Sequence, residues 1–214
     1  MTDFGFYLVI TNPAVGYAKC AEAAVRAGVK IIQLRMKHAS REEILREAHE
    51  MRRVTAGTET IFIVNDDPSI AAEVGADGVH VGQGDMAPDE VRARYPDLRI
   101  VGLSTHNLDQ VRASVTQPID YIGVGPVYAT PTKDIPDPTL GLKTMGEMIA
   151  TAVHPAVAIG GIDEARLPEV LAAGARNFAV VRAVCQSPDP YSAILKLLDV
   201  AKREQWVSGG VWKE

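Results

Sequence analysis

Two kinds of side chain in this 214-residue chain are suited to gripping a polyanion, and both stand just after short apolar runs. Arg35, Lys37 and Lys133 are cations that, gathered in one cavity, would repel one another and lose hydration. A bound polyanion is their natural counter-partner. Asp66, within Asn65-Asp66-Asp67-Pro68, and Asp85, within Gln83-Gly84-Asp85, are hard carboxylates. Mg2+ uses such groups when it also takes phosphate oxygens and water. Gly160-Gly161 would let backbone N–H groups approach a ligand with no Cβ in the way. The set describes a cavity for one metal-bound polyphosphate and a separate monophosphate.

The elements that must position these groups alternate along the chain. The strand candidates are 7–10, 31–34, 61–64, 78–81, 100–103, 121–124, 156–159 and 178–181, each nearly all apolar, as parallel strands covered on both faces require. Helix-like stretches lie between them. Ser40-Arg41-Glu42-Glu43 is a capping-box signature opening a helix from Glu42 to Val54. Pro68, Pro88 and Pro168 suit the first turns of the third, fourth and seventh helices. Ala27-Gly28, Val74-Gly75 and Ala173-Gly174 suit left-handed helix ends before the next strand. The fold class is therefore α/β, a single (β/α)8 TIM barrel spanning residues 1–214, with 201–214 a candidate tail. A doubly wound sheet would want a glycine-rich loop after its first strand, where Thr11-Asn12-Pro13-Ala14 stands instead.

In a barrel, all strand ends share one mouth, where active sites sit. Gln33, Arg35 and Lys37 alternate along an extended segment and can point the same way. Asn65-Asp66, Gln83 to Asp85, Ser104-Thr105-His106, Thr130 to Lys133, Gly160-Gly161 and Val181-Arg182 follow or end the later strands. Plainer roles stay open for each. Asp66 equally suits an Asx-turn or a helix cap, Asp85 a turn before Pro88, and Ser104 or Thr105 an N-cap. Gln33 could satisfy backbone groups inside the barrel, and Arg182 could form an internal salt bridge or touch phosphate. His80 and His106 read as barrel-lining or structural residues.

Composition narrows the class. Hydrophobic residues make up 47% and charged residues 23%, an ordinary globular balance, and no apolar run is long enough to suggest a membrane span. The first residues lack the pattern of a signal peptide. Cys20 and Cys185 have no metal-type spacing and read as reduced thiols of a cytoplasmic protein. A net charge of −5 argues against nucleic-acid partners while leaving room for a local cationic pocket.

The segments Gln33-Leu34-Arg35-Met36-Lys37, Val64-Asn65-Asp66, Gly78 to Asp85 and Gly102 to His106 occur in order. Gly123 to Lys133 and Ala158 to Ile162 follow, with Thr130-Pro131-Thr132-Lys133 the most specific part. Over roughly residues 6–185 this series resembles the thiamine phosphate synthases. The resemblance implies that hydroxymethylpyrimidine pyrophosphate is joined to a methylthiazole ethyl phosphate, or its carboxylated form, with release of pyrophosphate. It implies Mg2+ on Asp66 and Asp85. Arg35, Lys37, Asn65, Ser104 and Lys133 would contact the pyrophosphate, and Gln33 the pyrimidine. Thr130 and Thr132 would lie near the reacting partners, and Gly161 would offer its N–H to the thiazole phosphate, with Val181 and Arg182 beside it. The chain departs from the family pattern at Arg182, where serine is common, and at Gly84, where an acidic residue is common. Its partners would be small phosphorylated molecules, with a homo-oligomer an open alternative to a monomer. Two other readings are a thiazole tautomerase of the same superfamily, which needs no metal, and a non-catalytic barrel that binds a phosphorylated ligand.

Overall fold

The computed structural model describes residues 3–130 and 138–207. Its first half runs β1 (Phe6–Ile10), α1 (Tyr17–Arg26), β2 (Ile31–Leu34), α2 (Arg41–Thr55), β3 (Ile61–Asn65), α3 (Pro68–Glu73), β4 (Gly78–Val81) and α4 (Pro88–Arg94). The second runs β5 (Ile100–Thr105), α5 (Leu108–Ser114), β6 (Tyr121–Val124), α6 (Gly141–Thr151), β7 (Ala156–Ile159), α7 (Leu167–Ala172), β8 (Asn177–Val180), α8 (Arg182–Cys185) and α9 (Pro190–Val207). The strands pair in parallel, each with the next, and β8 pairs with β1 to close the barrel. This is a single (β/α)8 TIM barrel. Among the described residues no helix is long and apolar enough to cross a membrane.

Alternation along each strand divides the apolar residues into two layers. In β1, Phe6, Leu8 and Ile10 join the core beneath the helices, whereas Tyr7 and Val9 face the barrel interior with Ile31, Ile63, Tyr121, Val157 and Ala179. Burial on both faces is why these strands read as apolar throughout. The helices begin where their residues dictate. Ser40 Oγ accepts from the Glu43 N–H at 3.2 Å while the Glu43 carboxylate accepts from the Ser40 N–H at 2.8 Å, completing the capping box. Pro68, Pro88 and Pro168 occupy first turns, where a missing N–H costs little.

The amino-terminal end of the barrel is fixed by polar groups that find partners. Asp77, preceding β4, accepts from the Phe62 N–H at 2.9 Å and pairs with Arg99 at 2.5 Å and Arg52 at 3.4 Å. Asp120, preceding β6, accepts from the Val101 N–H at 2.7 Å and from Arg92 at 2.6 Å. At that end each of these carboxylates meets an arginine and a strand N–H.

Several boundaries shift by one or two residues from the sequence expectation, and two of the differences bear on the readings above. The last strand ends at Val180, one residue early, because Val181 leaves the extended region and its carbonyl accepts from the Val184 and Cys185 N–H groups. Arg182 therefore opens a short helix and does not end a strand. Residue 201 is no boundary either: α9 continues through Val207, and Ala201 is buried in the core. Residues 208–214 lie outside the described residues.

Candidate functional site

At the carboxyl ends of the strands lies a cavity of about 700 Å3. Gln33, Arg35 and Lys37 all line it, as alternation from β2 requires, together with Asn65, Asp66, Asp85, Ser104, Thr130, Gly161, Val181 and Arg182. Thr132 and Lys133 lie outside the described residues.

Asp66 and Asp67 divide their work. Asp67 Oδ1 accepts from the Ser69 N–H at 2.8 Å and the Ile70 N–H at 3.0 Å, which makes it the cap of α3. Asp66 holds a left-handed backbone at φ 65°, uncommon for a residue with a side chain, which sets it apart from the cap. Asp66 meets Lys37 on one side and Asp85 on the other. Burial pushes the Asp66 carboxyl above its usual range and the Asp85 charge adds to this, while Lys37 opposes it. Asp85 is held in turn: its Oδ2 accepts from the Gly82 N–H at 2.7 Å. It does not cap α4, whose N-cap is Ala87. The acids at the amino-terminal end are paired with arginines, whereas at the mouth Asp66, though paired with Lys37, also faces Asp85.

Among the described residues no three His, Cys, Asp or Glu side chains gather as a metal cage. Two carboxylates fit Mg2+, which keeps several waters and takes substrate phosphate oxygens for the rest of its shell. Burial is the main reason the Asp66 carboxyl is raised, and the Asp85 charge adds to it, so a cation between the two carboxylates would act against both.

Below the mouth a chain of hydrogen bonds crosses the barrel. Gln33 Nε2 donates to Tyr7 OH at 2.7 Å, Tyr7 OH and Tyr121 OH are 2.9 Å apart, and Tyr121 OH and His80 Nδ1 are 3.0 Å apart. His80 Nε2 then meets Ser104 Oγ at 2.9 Å. Burial raises both phenols above their ordinary range, so both remain O–H donors at neutral pH. Ser104 is accordingly no N-cap; Asn107 takes that role on α5. Thr105 donates to the Gly123 carbonyl at 2.9 Å, and His106 Nδ1 lies 2.6 Å from the Gly125 carbonyl.

On the opposite rim, Gly160 and Gly161 hold φ of 108° and 65°. A Cβ at Gly160 would come within 2.6 Å of Pro126, and one at Gly161 within 2.8 Å of Tyr128 Cβ. The pair is therefore required by close packing on the loop after β6 as well as by conformation. Arg182 donates from Nε to Gln186 Oε1 at 3.3 Å and lines the cavity. Arg166 is a lining residue that sequence reasoning missed. Its guanidinium donates to the Gly161 carbonyl at 2.8 Å and lies 4.9 Å from the centre of the Tyr128 ring. It stands at the start of α7, five residues beyond Gly161, where strand-end reasoning does not look. Tyr7 and Tyr121 were missed too, having been counted as apolar strand residues.

Comparison with known proteins points to one family. The family model described as thiamine monophosphate synthase matches residues 6–184. A thiamine-phosphate synthase of Caldicellulosiruptor bescii is 43% identical over 82% of this chain and 80% of its own length. One of Methanoregula boonei is 39% identical over 86% of this chain and 88% of its own. The solved thiamine phosphate pyrophosphorylase of Pyrococcus furiosus superposes with a TM-score of 0.86 at 27% identity, covering 95% of this chain and 98% of that one.

Proposed function

Since this chain belongs to the thiamine monophosphate synthase family, we propose that its cavity seats hydroxymethylpyrimidine pyrophosphate beside methylthiazole ethyl phosphate and joins them. The protein is a transferase of thiamine biosynthesis, releasing pyrophosphate and giving thiamine phosphate. What supports the placement of the diphosphate is the pairing of Asp66 with Asp85 at a mouth also lined by Arg35 and Lys37.

Asp66 and Asp85 would hold Mg2+, which when bound supplies positive charge to the departing diphosphate. Arg35, Lys37 and Lys133 grip its oxygens with Asn65 and Ser104, so that charge developing on the leaving group meets fixed donors. Gln33 holds the pyrimidine, while Thr130 and Thr132 lie beside the reacting carbon. The C–O bond to diphosphate breaks, the electron-rich aminopyrimidine carries the resulting cation, and the thiazole nitrogen forms the new C–N bond. That nitrogen has no proton to lose, so no general base is required. Orientation and leaving-group stabilisation supply the rate. Gly161 offers its N–H to the thiazole phosphate, flanked by Val181 and by Arg182, which brings charge where the family commonly has a hydroxyl. The carboxylated thiazole phosphate would suit the same cationic rim, its carboxyl group leaving as CO2 so that the product is again thiamine phosphate. The chain works in the cytoplasm, alone or as a homo-oligomer, without nucleic-acid partners.

Purified protein given both substrates and Mg2+ should release thiamine phosphate and pyrophosphate in equal amounts. Tight binding of both substrates without product would leave only a phospho-ligand binding barrel and defeat the assignment.

A further inference from the structure

Gln33, Tyr7, Tyr121, His80 and Ser104 come from five different strands, and with the Gln33 amide nitrogen as the donor to Tyr7 their hydrogen bonds take a single direction. Tyr7 OH accepts from Gln33 Nε2, so its single proton goes to Tyr121 OH. Tyr121 OH, having accepted, gives its own proton to His80 Nδ1. An accepting Nδ1 places the imidazole proton on Nε2, which donates to Ser104 Oγ. The two ends that remain are the Gln33 carbonyl oxygen, an acceptor, and the Ser104 hydroxyl proton, a donor. Both residues line the cavity.

The chain cannot reverse piecemeal. Gln33, Tyr7 and Tyr121 are 4%, 2% and 0% exposed, so one link turned alone would set two buried donors or two bare acceptors face to face. The strands are also cut to admit it. His80, Gly102 and Tyr121 are neighbours in register on β4, β5 and β6, and the His80 and Tyr121 rings meet over Gly102. Gly102 has ordinary strand conformation, yet a Cβ there would fall 2.5 Å from both His80 Nδ1 and Tyr121 OH. Space for the Tyr121–His80 bond, and not backbone freedom, is what demands glycine at this position.

We propose that Tyr7, Tyr121 and His80 are positioning residues whose one-way hydrogen-bond chain presents Gln33 to the ligand as an acceptor and Ser104 as a donor. This rests on the functional reading above, in which Gln33 holds the aminopyrimidine and Ser104 contacts the diphosphate: an acceptor at Gln33 suits the amino group, and a donor at Ser104 suits an anionic oxygen. Reversed, the chain would offer each ligand group the wrong sign.

The test combines two-bond 1H–15N correlation spectra of the histidine rings with calorimetric binding of the hydroxymethylpyrimidine alcohol and, separately, of Mg2+ with pyrophosphate. The ligand-free protein should show His80 with Nε2 protonated and Nδ1 bare. Tyr7→Phe cuts the chain on the Gln33 side: pyrimidine affinity should fall about tenfold, as for one lost hydrogen bond, with the His80 tautomer and pyrophosphate binding kept. Tyr121→Phe removes the donor to Nδ1, so the tautomer preference should be lost and both affinities should fall. A wild-type His80 protonated on Nδ1 would overturn the proposal. So would Tyr7→Phe shifting the tautomer as far as Tyr121→Phe, because general loosening of the barrel interior would do that. If Tyr121→Phe does not fold, the wild-type tautomer and the split response of Tyr7→Phe still decide. A wild-type protein that ignores the pyrimidine alcohol would sink the functional reading and the ligand half of this proposal, while the spectra would still report the chain's direction.

Discussion

Asp66→Asn removes a charge while keeping a backbone. At φ 65° the loop requires a left-handed residue, and Asn tolerates that region as Asp does. In the unliganded protein the change relieves repulsion from Asp85 and abolishes the pairing with Lys37. The Lys37 and Asp66 side chains are 40% and 28% exposed, so their pairing is worth at most about 1 kcal/mol and opposes the relief. Net stability should move by less than about 1 kcal/mol, a Tm shift within about 2–4 °C for a chain of this size. The sign with pH follows from the raised Asp66 carboxyl. The fold disfavours its ionised form, so the wild-type protein loses stability as pH rises from the ordinary carboxylate range through the raised value. The variant has no such group, and its Tm should gain on the wild type from acid to neutral pH. Function should collapse by contrast: kcat/KM should drop about 10²–10³-fold, as for loss of a strong electrostatic stabiliser. Mg2+ with pyrophosphate at about 100 times Kd should stabilise the wild type by about 2.7 kcal/mol and the variant far less. Scanning calorimetry across pH and steady-state kinetics measure all of this. Undiminished Mg2+-dependent turnover in the variant would refute the reasoning.

Asp67→Ala should cost about 1 kcal/mol of stability through the lost cap of α3 and leave kcat/KM intact; thermal unfolding and kinetics on one preparation check both. Lys133→Ala should weaken transition-state stabilisation by about 2–4 kcal/mol, and an unchanged kcat/KM would remove it from the site. Arg182→Ser should raise KM for the thiazole phosphate with little change for the pyrimidine substrate; equal KM values would place Arg182 outside that pocket.

Much of the site was legible because a parallel barrel turns chain order into geometry. Once the apolar runs were read as strands, the residues after them had to share a mouth, and Gln33, Arg35, Lys37, Asn65, Asp66 and Asp85 do. The resemblance picked Asp66 over Asp67, but residue type alone gives no reason for that choice. Asp66 and Asp67 have the same chemistry, and only the backbone, left-handed at 66 and capping at 67, separates them. Val181 read as strand because it is β-branched, but its carbonyl is claimed by the short helix that follows. The polar chain under the cavity was hidden because tyrosine in an apolar run counts toward the core. Only the registers of β4, β5 and β6 reveal that Tyr121 reaches His80 across a glycine. Arg166 was invisible for a related reason, since it enters the cavity from a helix start and not from a strand end.

The most direct measurement is a crystal structure of the protein soaked with Mg2+ and pyrophosphate. One Mg2+ should bind oxygens of both Asp66 and Asp85 at about 2.0–2.1 Å, with the diphosphate completing its shell and reaching Arg35 and Lys133. Pyrophosphate bound elsewhere, or a cation that leaves either aspartate unligated, would contradict the proposed site.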